Sequence, residues 1–154
     1  SGYALGSDAL AAVAAAADGT GAPTALTDDV LAELDLAEPA ALVDWAYRDL
    51  SWSRFAAIAP LAIQAAARGD AVAGKIVENN AQALADSVST VAYRLHLRDA
   101  PVVLGGSLVQ PGPYRDRVTA KIARGCPDAS VTHPPVDAAT GAAWLALAKE
   151  QTWR

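Results

Sequence analysis

The chain has 154 residues and a formal net charge of −5, and 53% of its residues are hydrophobic. This length is typical of one domain, and the acidic balance argues against nucleic acid or an anionic membrane surface as a partner. No apolar run approaches the roughly 20 residues of a membrane span, and we expect no signal peptide. We therefore expect a cytoplasmic protein without a membrane partner.

Few side chains in this sequence are suited to nucleophilic or metal chemistry. Cys126 is the only cysteine, which excludes an intrachain disulfide framework, and its RGCPD context predicts an inert thiol in a turn. His96 and His133 fall on different predicted elements, without a cysteine or carboxylate at metal-ligand spacing. The sequence therefore predicts no metal site and no cysteine nucleophile.

Apolar periodicity and capping residues predict helices over most of the first two thirds of the chain. A helix of about 40 Å is expected over residues 71–96, capped by Asp70, and Pro60 is expected either to kink a helix or to begin a new one. The other predicted helix starts are Ser7 or Asp8, Thr27, Pro39 and Ser53.

The last third of the chain is predicted to contain strands as well as helices. Residues 101–104 and 130–132 predict two short strands, the first apolar enough to be buried on both faces of a parallel sheet, with helices over 114–124 and 138–149. Two isolated strands do not make a stable sheet. Because the chain also contains no Met, we expect further strands to lie upstream of Ser1. The expected fold class is α/β, mostly helical, with about two strands.

The stretch VVLGGSLVQPGPY predicts a strand, a glycine loop and a helix. That arrangement is typical of a ligand loop at the carboxyl edge of an α/β sheet. Gly105 and Gly106 lack a Cβ, so a flat ring or a phosphate can lie against their backbone, and the Ser107 hydroxyl can donate a hydrogen bond. The same pattern also fits a plain strand-to-helix turn, and it is neither GxGxxG nor a P-loop.

VVLGGSLVQPGPY resembles the adenosine motif of sugar kinases in the actin-like ATPase superfamily. SGYALGSDAL resembles the segment that follows the GDEG motif in N-acetylglucosamine kinases and the related BadF/BadG/BcrA/BcrD ATPases. LVDWAYRD, SRFAAIAPLAIQAAARGD and the closing GAAWLALA agree in order and spacing. The resemblance covers essentially the whole chain and rests on this ordered succession more than on any single piece.

The resemblance implies an actin-like (ribonuclease H-like) ATPase fold with two lobes and with ATP and Mg²⁺ between them. Residues 1–154 would be most of the C-terminal lobe, without the N-terminal lobe or the first strands of their own lobe. The phosphate loops and the catalytic Asp of such kinases have no counterpart in this sequence. We therefore expect this chain alone to be inactive.

Four residues are implied to bind nucleotide. Gly105, Gly106 and Ser107 would line the adenosine, and the helix start at residues 54–56 would face the adenine from the other side. Ala56 matches a nucleotide-contacting position of the animal N-acetylglucosamine kinases, although simple helix packing explains it equally well.

The implied function of the whole protein is ATP-dependent phosphorylation of N-acetylglucosamine or glucosamine, with a homodimer as a possible assembly. One alternative keeps the fold and makes the protein an ATPase that activates an acyl-CoA dehydratase or reductase through a cysteine-held iron–sulfur cluster. Another is a non-catalytic helical module that folds by itself and serves as an interaction surface.

Overall fold

The computed structural model describes residues 1–97, 99, 101–134 and 136–151. Within those ranges the chain forms eight α-helices, one short 3₁₀ helix and two strands. In chain order the elements are α1 (Gly2–Ala17), α2 (Leu26–Leu34), α3 (Ala41–Arg48), α4 (Trp52–Ala57), α5 (Ala59–Ala67), α6 (Ala71–Arg94), β1 (Pro101–Val103), the 3₁₀ helix (Ser107–Val109), α7 (Pro113–Gly125), β2 (Ser130–Thr132) and α8 (Ala138–Gln151).

Most predicted elements are present, and the differences concern helix starts. The first helix begins at Gly2, well before the predicted cap, because the Ser1 hydroxyl accepts a hydrogen bond from the Ala4 amide. The third helix begins at Ala41, since Pro39 lies in a preceding turn. Of the two alternatives for Pro60, the structure shows a fresh start, with this proline near the beginning of α5.

The core forms where α1 packs against α4, α5 and α6. Gly6 permits the closest approach, because a Cβ at this position would lie 1.7 Å from the carbonyl oxygen of Phe55. The largest fully buried side chains in the core are Leu5, Val13, Leu26, Val30, Ile58, Val77, Val118 and Ile122. Small alanines fill much of the rest, so the helices approach one another closely.

Asp70 joins two helix starts that are far apart in sequence. Its carboxylate accepts a hydrogen bond from the Ala73 amide at the start of α6, at 2.8 Å, and from the Ala25 amide ahead of α2, at 2.7 Å. The Thr24 hydroxyl donates to the same carboxylate at 3.0 Å. One side chain therefore caps α6 and fixes the loop that leads into α2.

Polar contacts also tie α6 to its neighbours. Glu78 pairs with Lys121 at 2.5 Å and with Arg117 at 3.2 Å, which links α6 to α7. Hydrogen bonds from these cations hold the pKa of Glu78 below its ordinary value, chiefly the bond from Lys121. Asn80 of α6 donates to Asp8 of α1 at 2.6 Å.

β1 and β2 form a two-stranded parallel sheet, in which Val102 faces Val131. The parallel arrangement agrees with the prediction, but burial on both faces does not, because Val103 is 58% exposed. No third strand pairs with these two among the described residues. Likewise, none of the described helices combines the length and apolar character needed to cross a bilayer.

Candidate functional site

The glycine loop begins where the sheet ends. The Leu104 amide donates to the Thr132 carbonyl at 2.9 Å, which extends the pairing by one residue beyond β1. Gly106 then adopts φ +110°, a conformation that side chains with a Cβ rarely tolerate. Val109 turns back into the core and anchors the far end of the 3₁₀ helix. The loop is thus held at both ends and exposes its glycines between them.

Five α-helices and the glycine loop contribute to the lining of a cavity of about 720 Å³ beside this loop. A Cβ on Gly2 of α1 would lie 3.2 Å from the Cβ of Ala56 on α4 and 3.4 Å from Cδ1 of Leu108 in the loop. The described lining residues are Ser1, Gly2, Ser53, Ala56, Ala57, Pro60, Leu84, Gly105, Gly106, Ser107, Leu108, Val109 and Tyr114.

All four residues that the sequence singled out line this one cavity. Gly105, Gly106 and Ser107 are exposed, and Ala56 is half-buried. No Asp, Glu, Lys, Arg or His occurs among the described lining residues. The surface is therefore suited to a flat, uncharged group that packs against apolar atoms and meets a few hydroxyls.

Arg54 and Phe55 of the predicted helix start make contacts away from the cavity. Arg54 lies over the Trp45 ring at 4.1 Å and donates to the Trp45 carbonyl at 3.0 Å, and Phe55 packs against the same ring. Ala56 is thus the only member of the predicted helix start that lines the cavity. Arg117, near the start of α7, pairs with Glu78 and is not among the described lining residues.

A second cavity of about 250 Å³ adjoins the first. The two share Pro60, Ser107, Leu108 and Tyr114 in their linings, so these four residues form a wall between them. Leu108 and Tyr114 supply the large side chains of this wall.

Tyr114 is the residue that sequence reasoning missed. It was predicted only as the first residue of a helix, but the structure buries it to 4% exposure against both cavities. Its hydroxyl has no hydrogen-bond partner among the described residues, and burial raises the pKa of this phenol above its ordinary value. The only signal in the sequence is its position directly after the loop prolines.

Cys126 and His96 line a separate cavity of about 360 Å³ between the end of α6 and the end of α7. No sequence pattern predicts that these two residues are close, because they follow different helices. The described residues contain no group of three His, Cys, Asp or Glu side chains arranged to hold a metal ion.

Comparisons with known proteins agree on one family. A family model described as the BadF/BadG/BcrA/BcrD ATPase family matches residues 1–146. The chain is also 36% identical to an N-acetyl-D-glucosamine kinase of Dictyostelium discoideum, over 96% of this chain and 48% of that protein. The chain therefore spans about half the length of this relative.

Proposed function

Because this chain belongs to the BadF/BadG/BcrA/BcrD ATPase family, we propose that it forms the adenosine-binding side of the ATP cleft in an amino-sugar kinase. The observation that carries the proposal is the shared cavity. Ala56 and the loop residues Gly105, Gly106 and Ser107 are far apart in the sequence, yet they line the same space. The relative that is an N-acetyl-D-glucosamine kinase supports an amino sugar as the phosphate acceptor.

The cavity suits the nucleoside part of ATP. The backbone at Gly106 is open, with nothing within 4 Å of where a Cβ would stand, so a ring can lie against it. Ala56 and Pro60 provide apolar surface in the same cavity, and Ser53 and Ser107 provide hydroxyls. These residues would bind and orient adenosine and exclude water from one of its faces.

The phosphates and Mg²⁺ need other residues. Phosphoryl transfer depends on positioning and charge neutralisation, and the described lining contains no acidic or basic side chain. We therefore propose that a longer polypeptide supplies the phosphate loops, the catalytic base and the sugar-selecting residues. In this proposal residues 1–154 are most of the C-terminal lobe, and strands of the remainder cover the exposed side of β1.

The decisive experiment measures ADP release by the longer polypeptide that contains this chain. It would receive Mg-ATP with N-acetylglucosamine, glucosamine, N-acetylmannosamine or glucose. We expect turnover with one amino sugar. Gly106→Val should raise the KM for ATP at least tenfold, because a β-branched residue strains the backbone at φ +110° and projects from the loop.

Gly19→Val is the matched control. Gly19 also has a positive φ, +70°, and open space around it, but it lies at the end of α1, away from the cavity. Equal losses in both variants would mean that Gly106→Val acts through folding alone, which would contradict the role given to the loop.

Two other outcomes would replace the proposal. Slow ATP hydrolysis without a sugar requirement would favour an ATPase that activates an acyl-CoA dehydratase or reductase. Cooperative unfolding of residues 1–154, together with no nucleotide binding by the longer polypeptide, would favour a non-catalytic helical module. Cytoplasmic location and a homodimer remain predictions, to be checked by fractionation and by light scattering.

A further inference from the structure

Tyr114 occupies an unusual place in the wall between the two cavities. Tyr114 is 4% exposed and belongs to the lining of both cavities, and its hydroxyl has no partner among the described residues. Buried polar groups in folded proteins almost always have a hydrogen-bond partner, so an orphaned hydroxyl requires an explanation.

A purely structural role does not explain the hydroxyl. The ring of Tyr114 packs into the core cluster, as a phenylalanine ring would. A buried, unpaired hydroxyl lowers stability relative to that phenylalanine, because it has lost its bonds to water. The hydroxyl therefore has a use only when something else brings an acceptor to it.

We infer that Tyr114 is a nucleotide-binding residue, whose hydroxyl donates a hydrogen bond to an acceptor atom of the base or ribose. The inference rests on the proposed function. Water does not reach this hydroxyl in the structure. The ligand must therefore displace part of the wall that Tyr114 shares with Leu108 and Ser107 as it binds.

The test compares Tyr114→Phe with wild type in the longer polypeptide, using thermal unfolding with and without ATP and direct titration with ATP. Without nucleotide, we expect the variant to be as stable as wild type or slightly more stable. With nucleotide, its Kd for ATP should rise about five- to twentyfold, the effect of losing one buried hydrogen bond. Tyr47→Phe is the control, because Tyr47 is 78% exposed on α3 and is not among the described lining residues.

Analogues identify the acceptor. Titrations with 2′-deoxy-ATP, 3′-deoxy-ATP, carbocyclic ATP and the 1-deaza, 3-deaza and 7-deaza forms of ATP each remove one candidate atom or group. For the analogue that lacks the true partner, Tyr114→Phe should cause no further loss of affinity. An equal loss for every nucleotide would mean that none of these positions is the partner, which would contradict the inference as we state it.

The remaining outcomes are also informative. If Tyr114→Phe binds ATP like wild type, the inference is wrong while the proposed function stands. If the variant is less stable without nucleotide, the hydroxyl has a partner within the folded polypeptide, and the inference is again wrong. If wild type binds no nucleotide, the proposed function itself fails.

Discussion

Helices α1 and α8 are both rich in alanine and other apolar residues, yet they have opposite surroundings. In α1, Leu5 and Val13 are fully buried against the neighbouring helices. In α8, Trp144 is 57% exposed and Leu145 is 71% exposed. Similar composition thus leads to different burial, because burial depends on which partners surround a helix and not on its own hydrophobicity. The same contrast separates the helical core from the exposed edge at Val103.

The largest expected effect tests this contrast with one substitution at two sites. Leu5→Ala should lower the free energy of unfolding by about 2–5 kcal/mol, because it leaves a cavity in a closely packed core. Leu145→Ala in the 154-residue chain should change it by less than about 0.5 kcal/mol. Urea denaturation of both variants measures the difference.

Similar losses of unfolding free energy for the two leucine variants would show that α8 is packed as tightly as α1. The predicted difference between the two helices would then be wrong. A loss for Leu145→Ala that occurs only in a longer polypeptide would sharpen it. Such a result would mean that a segment outside these residues covers α8.

The next effect concerns the packing of α1 against α4. Gly6→Ala should destabilise the protein by about 3 kcal/mol, at the upper end of the cost of overpacking, because the new Cβ would collide with the Phe55 carbonyl oxygen. Gly74→Ala in α6 has open space and should instead stabilise the protein by about 0.5–1 kcal/mol through helix propensity. A lower urea midpoint than wild type for Gly6→Ala and a higher one for Gly74→Ala would confirm the prediction. Equal midpoints for the two variants would contradict the close contact between α1 and α4.

The smallest effect concerns Asp70. Asp70→Ala should cost about 2 kcal/mol at pH 7, because it removes a helix cap and the bonds to Thr24 and the Ala25 amide. Asp44→Ala, at an exposed site on α3, should cost much less. Unfolding free energies of these variants from pH 7 to pH 2 supply the measurement.

The pH dependence of Asp70 follows from two opposing causes. Burial by itself raises the pKa of this carboxyl, but hydrogen bonds from Ala73, Ala25 and Thr24 outweigh burial and hold the pKa below its ordinary value of 3.8. A lowered folded-state pKa gives stability that is present above pH 3.8 and is lost as the pH falls through the folded-state value. The difference in the free energy of unfolding between wild type and Asp70→Ala should therefore become smaller below about pH 4. A difference that does not change with pH would contradict the role of the carboxylate.

Some residues of the candidate site were predictable from the sequence, and others were not. Gly105, Gly106 and Ser107 were predicted from a strand followed by glycines, a pattern that is local and therefore readable from the sequence. Ala56 came only from the family resemblance, because an alanine in a helix has no signature of its own. Tyr114 was missed as a lining residue, since its burial and its unpaired hydroxyl depend on neighbours far away in the sequence.

The sequence by itself determined the local elements, including the Asp70 cap, an interruption of the helical pattern near Pro60, and both short strands. Capping, proline geometry and apolar periodicity act between residues a few positions apart, so they are visible in one dimension. The tertiary structure alone decided that Ala56 and the glycine loop line one cavity, that Asn80 binds Asp8, and that Val103 remains exposed. Those outcomes depend on how the helices and strands pack in three dimensions, and no local pattern encodes that packing.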